Sequence, residues 1–449
     1  MHDGEKNGNL DNENMPPDPA ATAILTPLAA PPSGLLIVTI DRLPAWMLSA
    51  WGSTWVSTPA IDALAGRGLL LDRLIATSSN PCQTLASLFD SGAGKTLLAS
   101  VASRDWQSAV VTDDLSTLKG LEKFGIQLGT DAKIDPIQAV TKQFVERDAG
   151  QTNIARLFGR AIEVLEAGAQ RFVWCHATSL GVAWDAPHSF REAYADAEDP
   201  PAPPGPRVPN FRVDSATDPD LVVGCRQVFA GQLTLLDRQL GRLIHAATAA
   251  QNASGGGGWI VLVMGVRGLP LGLHGWLGCQ DDFPPYSEVV QLPAILIDSS
   301  QRMVAQRYGG LVIPADVGAT LRDLIDGVSG QAVDSAEQEL ADPWCGRSFV
   351  RLLESWALQA RDRVIVTGEG GTTIVTPDWQ LVAPKVAKNA LETVQLFAKP
   401  DDFFELSDVA NRCPVIADAL RRTLQPAASG APEAAWLAPL FAIADAVPG

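Results

Sequence analysis

Leu35-Leu36-Ile37-Val38-Thr39-Ile40-Asp41 decides the fold. An apolar run without polar alternation reads as a strand covered on both faces, and this one ends on a carboxylate. Working outward, Ala109-Val110-Val111, Phe172-Val173-Trp174-Cys175, Trp259-Ile260-Val261-Leu262-Val263-Met264 and Ala294-Ile295-Leu296-Ile297 carry the same signal. Helical patterns lie between them. Thr58-Pro59, then Ile61 and Leu64, then Gly66 and Gly68, predicts a short helix with Thr58 as N-cap, proline in the first turn and glycine as stop. Residues 153–167 and 221–250 read as longer helices, the second amphipathic around Val228, Leu235, Leu236, Leu240, Leu243 and Ile244. The alternation predicts an α/β fold with a mainly parallel sheet.

Two segments break the rhythm. Residues 196–209 are Pro-rich and acidic and predict an exposed loop, and residues 252–258, with four consecutive glycines, predict a flexible link. After residue 330 the pattern changes. Val364-Ile365-Val366, Thr373-Ile374-Val375 and Val394-Gln395-Leu396-Phe397 read as short antiparallel strands, followed by a helix near 414–424. The expected organisation is a leader over 1–33, a large α/β domain over 34–330, a small α+β domain over 345–425 and a tail over 426–449.

The 449 residues are 46% apolar and 19% charged, an ordinary globular balance that excludes a disordered chain, a collagen and a coiled coil. The formal charge of −17 repels polyanions, so nucleic acid is not an expected partner. Cys82, Cys175, Cys225, Cys279, Cys345 and Cys413 stand singly, without metal-cluster or disulfide-framework spacing, as buried thiols of a reducing compartment do. The leader lacks a basic stretch followed by an apolar one, and no apolar run reaches the roughly 18 residues of a membrane span. A cytoplasmic protein without membrane contact is the expectation.

Ligands of an open α/β sheet bind beyond the carboxyl ends of its strands. Asp41 follows Ile40, His176 follows Cys175, and Arg267 lies just past Met264. These three are expected to converge.

The same stretches carry a family resemblance. Residues 36–41 are similar to the first strand and metal-binding Asp of the sulfatase family, within the alkaline phosphatase superfamily. Trp51-Gly52, then Thr58-Pro59-Ala60-Ile61-Asp62-Ala63-Leu64-Ala65 and Gly68, resembles its "YG…TPNIDRLAxxG" stretch. Leu236-Asp237-Arg238-Gln239-Leu240-Gly241-Arg242-Leu243 resembles "VDxxxGRLL", and Gly272-Leu273-His274-Gly275 resembles the "GxHG" end of a metal loop. Residues 286–295 resemble "YExxxxVPLII", and Asp378-Trp379-Gln380-Leu381 and Asp408-Val409-Ala410-Asn411 match the C-terminal landmarks. The resemblance spans 34–425 in order. It implies a large mixed sheet sandwiched by helices, with a smaller C-terminal domain of short antiparallel strands and a helix. It also implies sulfuric ester hydrolysis with one divalent cation, usually calcium. The implied nucleophile is a formylglycine made from Cys in C-x-P-x-R, or a Ser or Thr in phosphatase relatives.

The site residues depart from that pattern. Asp41 is present, but its frequent acidic neighbour is Arg42. Aligning Ala86-Ser87-Leu88 with the family's "ASL" puts Pro81 at the nucleophile. Sliding by one puts Cys82 there, with Thr84 for the Pro and Ala86 for the Arg. Either way the formylglycine motif is broken, and Cys82 and Thr84 are left as candidate nucleophiles, with Ser78 and Ser79 behind them. His176 matches the first His of "HxxxPH". Gly181 falls where the substrate-facing His lies, and His188 follows as a surface residue. The loop that carries a Lys in the family reads Thr112-Asp113-Asp114, and the "DH" of the last metal loop aligns with Val266-Arg267. A calcium ion wants about six to eight oxygens and several carboxylates, and Asp41 alone is a nameable ligand.

A guanidinium at the old cation position would supply the missing positive charge as a fixed fork of donors. An Asp41–Arg267 ion pair within about 4 Å is therefore expected, with Asp41, His176, Arg267 and His274 lining a residual pocket. Trp46, Trp51 and Trp55 are expected to wall it. The leading reading is a sulfatase-like protein without metal or ester hydrolysis, binding a small anion or regulating a partner. A divergent metal-dependent sulfuric or phosphoric ester hydrolase is the first rival; it needs a new metal set and a nucleophile from Cys82 or Thr84, and gains weight if two or more further carboxylates, such as Asp113 and Asp114, fall within about 5 Å of Asp41. An interaction scaffold using residues 196–209 is the second, and gains weight if the pocket is filled by Trp and Leu side chains.

Overall fold

The alternation of side chains along the first strand sets the layers. The computed structural model describes residues 32–92, 94–129, 131–253, 258–299, 305–327, 344–350, 361–385 and 393–429. In β1 (Gly34–Asp41), Leu35 and Ile37 enter one core, while Leu36, Val38 and Ile40 enter another on the opposite face. Each strand residue alternates sides, so a sheet apolar at every position must be covered twice. Helices Pro81–Phe89 and Pro314–Asp326 cover one face, and Asn153–Glu166 and Pro219–Ala253 the other.

The sheet also contains β2 (Leu69–Ile75), β3 (Ser108–Thr112), β4 (Lys133–Pro136), β5 (Phe172–Ala177), β7 (Trp259–Arg267), β9 (Gln291–Asp298) and β10 (Gln306–Val312). β6 (Asn210–Arg212) and β8 (Trp276–Gly278) form a separate ribbon. The order in the large sheet is β10-β2-β9-β7-β1-β5-β3-β4, with β9 antiparallel to both neighbours and the other pairings parallel. β1, flanked by β5 and β7, is thus central, and Asp41, His176 and Arg267 share one edge. Among the described residues no helix is long and apolar enough to cross a membrane.

The small domain is an antiparallel sheet in chain order: β11 (Val364–Gly368), β12 (Gly371–Val375), β13 (Trp379–Pro384) and β14 (Gln395–Ala398). The helix Pro414–Ser429 packs Ala417, Leu420 and Leu424 against it and runs past the boundary expected at 425. The domains are joined at the loop before Pro81. Ser79 N–H donates to Thr367 O at 3.2 Å, and Thr367 N–H to Thr77 O at 3.1 Å. Arg73 donates to the Thr376 and Pro377 carbonyls at 2.6 and 2.9 Å. Residues 1–31, residues 254–257 of the glycine-rich link and the tail from 430 lie outside the described residues.

One expected cap is corrected. Thr58 precedes helix Pro59–Ala65, but its hydroxyl pairs with Ser49 at 2.5 Å and does not cap. The first-turn amides of Ala60 and Ile61 go instead to the carboxylate of Asp237, at 3.0 and 2.8 Å. A helix start leaves unpaired N–H groups and favours negative charge, and helix Pro219–Ala253 supplies both partner and charge. The loop 196–209 has no regular structure, but it is pinned. Arg191 donates to the carbonyls of Pro203 and Gly205, both at 3.3 Å.

Candidate anion pocket at the strand ends

The register between β1 and β7 shifts after Ile40, which sets Asp41 directly opposite Arg267. Arg267 Nε donates to Asp41 Oδ1 at 2.9 Å and Nη2 to Oδ2 at 3.2 Å. Nη1 donates to Asp281 at 3.0 Å. This two-pronged pairing is the strong form of a carboxylate–guanidinium contact. Burial pushes the Asp41 carboxyl up, but the charges of Arg267 and Arg42 and the Arg267 hydrogen bonds outweigh it and hold the pKa below the usual value. Asp41 is ionised and its charge is spent on arginine.

Arg42 follows with φ of +62°, a left-handed backbone that disfavours L side chains. Its Nε stands 3.7 Å from Asp41 Oδ2. Its guanidinium lies over Gly181, where an added Cβ would come within 2.6 Å of Nε. The arginine just past β1 therefore occupies the space beside Gly181, just past β5.

Thr39 and His176 are direct partners across the β1–β5 pairing, and Trp174 shares their face. Trp174 Nε1–H donates to Thr39 Oγ1 at 2.9 Å, and Thr39 Oγ1 lies 2.8 Å from His176 Nδ1. His176 Nε2 is buried without a partner. Burial drives the His176 pKa down to about 4 against the opposing pull of Asp41 and Asp114, so the ring is neutral at pH 7.

Asp41, Arg42, Cys82, Asp114, His176 and Arg267 line a cavity of about 300 Å³. The volume suits a small ligand. Through Arg267 and Pro81 it adjoins a wider cleft of about 600 Å³ bounded by Ser78, Ser79 and the small domain's Thr367 and Lys385. Trp and Leu side chains are not among the residues lining the smaller cavity. Trp46, expected to wall it, packs on Phe404, Trp51 is buried and donates to Leu71 O at 3.3 Å, and Trp55 packs on Tyr194.

His274 is placed elsewhere. It lines a separate small cavity with Trp46 and Phe404. Its Nδ1 lies 2.7 Å from Glu288 Oε1, Tyr286 stacks on the ring at 3.8 Å, and Nε2 is 3.3 Å from the backbone oxygen of Glu405 in the small domain. It bridges the large domain's Glu288 and the small domain's Glu405.

The two further carboxylates do not turn to Asp41. Asp113 accepts from Thr178 N, Thr178 Oγ1 and Ser179 N at 2.6, 2.9 and 2.9 Å. Burial nevertheless pushes its pKa up to about 6. Asp114 caps helix Leu115–Glu122, accepting from Ser116 N, Ser116 Oγ and Thr117 Oγ1 at 2.8, 2.6 and 2.7 Å. Among the described residues no three His, Cys, Asp or Glu side chains form a group that could hold a metal. The donors present do not fit a dication. One carboxylate is forked by a guanidinium, a second guanidinium stands beside it, and the neighbouring acids cap backbone amides.

Neither candidate nucleophile is activated. Cys82 opens helix Pro81–Phe89, with its amide bonded to Asn80 Oδ1 at 2.9 Å. Its Sγ packs on Gly120, where a Cβ would approach within 2.5 Å. Burial, then the charges of Asp114 and Asp41, pushes the thiol pKa up, the reverse of what a thiolate nucleophile needs. Thr84 is fully buried, its hydroxyl 3.4 Å from the carbonyls of Ser78 and Asn80. The Ser78 hydroxyl accepts from Asn80 N at 3.1 Å. His188 is exposed.

The sequence pattern by itself does not show the placement of Arg42 or the Trp174–Thr39–His176 chain. A usable signal existed: a large cation at an acidic position and a glycine at a large-residue position are complementary in volume.

The mixed sheet between helical layers, the site at the carboxyl ends of its strands and the small antiparallel domain together make this the sulfatase fold, shared with related hydrolases of the alkaline phosphatase superfamily. No protein-family model and no curated protein matches the sequence. Among solved structures, the phosphonate monoester hydrolase of Agrobacterium radiobacter is 15% identical over 87% of this chain and 94% of that one, with a TM-score of 0.63. The phosphonate monoester hydrolase of Silicibacter pomeroyi is 14% identical over 89% and 96%, at 0.61. A putative sulfatase from Bacteroides fragilis is 12% identical over 96% and 100%, at 0.60. At such identities the likeness is one of fold.

Proposed function

We propose that this chain is a sulfatase-fold protein without metal-dependent ester hydrolysis, whose strand-end pocket binds a small anionic ligand in a binding or regulatory role. One observation carries the reading: Arg267 forks both oxygens of Asp41 at 2.9 and 3.2 Å, where the fold family holds its cation. A buried carboxylate satisfied in this way has no charge left for a dication, and separating the pair is costly. The rival hydrolase reading needs Asp113 and Asp114 to abandon the amides they cap. The scaffold reading loses support because residues 196–209 are tied down and the pocket is open. The free thiols suit a reducing compartment, so a cytoplasmic location is part of the proposal, and the charge of −17 argues against nucleic acid.

The test is calorimetric titration of calcium, magnesium and manganese into chelator-treated protein, followed by aryl sulfate and aryl phosphate turnover. No heat of binding and no turnover are expected. Micromolar metal binding, with turnover lost in Asp41→Ala, would overturn the proposal.

A further inference from the structure

The pocket before Asp41 has few hydrogen-bond donors to spare. The Ser116 and Thr117 hydroxyls are given to Asp114, the Thr178 hydroxyl to Asp113, and Arg267 to Asp41 and Asp281. Beyond the two Arg267 N–H groups not so engaged, two groups are left. Arg42 carries five N–H donors in a planar fork. Among the described residues its one charge partner is Asp41, met on the Nε side at 3.7 Å, beyond hydrogen-bond reach. The Arg42 side chain is 12% exposed and lines the cavity, and among the described residues no hydrogen bond engages its guanidinium. The left-handed backbone at φ +62° adds a cost at the same residue.

The other group is His176. The Thr39 oxygen receives the Trp174 N–H, and its own hydrogen then has His176 Nδ1 as acceptor. With the hydrogen placed so, the ring proton sits on Nε2, the buried nitrogen without a partner. His176 lines the pocket with Nδ1 engaged by Thr39, which leaves Nε2 as its ring nitrogen without a partner. The fixed charges lining the cavity are Asp41 and Asp114 against Arg42 and Arg267, and they cancel.

Building on the metal-free reading of the site, we propose that this pocket seats a carboxylate, its two oxygens on the Arg42 fork and one of them shared with His176 Nε2–H. A planar anion with one charge and two oxygens matches a planar fork plus one lateral donor. A sulfate ester brings a third terminal oxygen that would face Asp41 and Asp114 without a donor. A phosphate brings that oxygen and a second charge. The sulfate-binding ancestry of the fold thus does not predict the ligand here.

The experiment is an NMR titration of the full chain at pH 7 and constant ionic strength, following the arginine Nε–H resonances. The probes are sodium acetate, methyl sulfate and inorganic phosphate. Acetate is expected to saturate, with the other two at least tenfold weaker. Gly181→Ala removes no donor and no charge but pushes Arg42 out of place, and should weaken acetate at least tenfold. Arg42→Asn, which keeps a residue tolerant of the left-handed backbone, should do the same with an unchanged or higher melting temperature. Equal or tighter binding of methyl sulfate or phosphate overturns the proposal, as does acetate binding that survives either substitution. No binding of any probe, in protein that also binds no metal, removes this proposal and leaves the metal-free reading standing. Calcium binding that displaces Arg267 removes both.

Discussion

Arg42 and Gly181 share one volume: a Cβ on residue 181 would lie 2.6 Å from Arg42 Nε and 2.8 Å from Cδ. The parallel pairing of β1 with β5 brings the two together. Residue 181 is not free to enlarge while Arg42 stands there. Gly181→Ala is expected to destabilise by about 1–3 kcal/mol, the usual cost of overpacking. In an Arg42→Gly background the cost should largely vanish, because the clash is gone and glycine relieves the backbone. A double-mutant cycle by urea unfolding measures this, and a coupling energy near zero would separate the two residues.

The Asp41–Arg267 pair predicts a second asymmetry. Arg267→Met leaves a buried carboxylate short of its fork and should cost about 3–5 kcal/mol. Asp41→Leu combined with Arg267→Met removes both charges and should recover most of that loss. The Asp41 carboxyl is held below its ordinary pKa. Its stabilisation is therefore present above the unfolded value and lost as pH falls through the folded one. Chemical denaturation at pH 7 and at pH 3 should show the gap between wild type and Arg267→Met narrowing in acid.

Cys82 should behave as an ordinary, slow thiol. Burial and two nearby carboxylates raise its pKa, so the thiolate fraction at neutral pH falls below that of a free cysteine. Alkylation by iodoacetamide at pH 7.5, followed by mass spectrometry, should be several-fold slower than for a cysteine-containing peptide. Faster alkylation would mean an electropositive environment that the surrounding charges do not provide.

Much of this architecture was legible in the chain. The fully apolar runs each form a strand of the large sheet, because a run apolar at every position can satisfy itself only between two layers. β2 was missed because Asp72-Arg73 interrupts its apolar pattern. Those two residues point to neighbours instead, Arg73 to the small domain's carbonyls and Asp72 to Arg307 at 2.6 Å. The charge exchange at Asp41 and Arg267 was readable because both positions carry a landmark. Arg42 was not, since its direction depends on one left-handed torsion and on an absent side chain far along the sequence. His274 was grouped with the pocket by its motif, but its orientation is set by Glu288 and by Glu405, a residue of the other domain.

Two groups at the strand ends oppose one another in pH. His176 is buried neutral, with a pKa near 4 in the folded protein. The unfolded chain takes up its proton below pH about 6.5, so this residue removes stability as pH falls from there toward 4. Asp113 has a pKa of about 6 when folded, against about 3.9 unfolded. The folded state therefore holds the extra proton between these values, and Asp113 removes stability as pH rises through them. Each contribution is on the order of 3 kcal/mol across its window, and in the wild type they largely cancel. Asp113→Asn should expose the His176 slope, with stability climbing from pH 4 to 6.5. His176→Gln should expose the opposite slope over pH 4 to 6. Urea unfolding of the three proteins across that range reads both signs, and parallel curves would show that neither group titrates as its surroundings dictate.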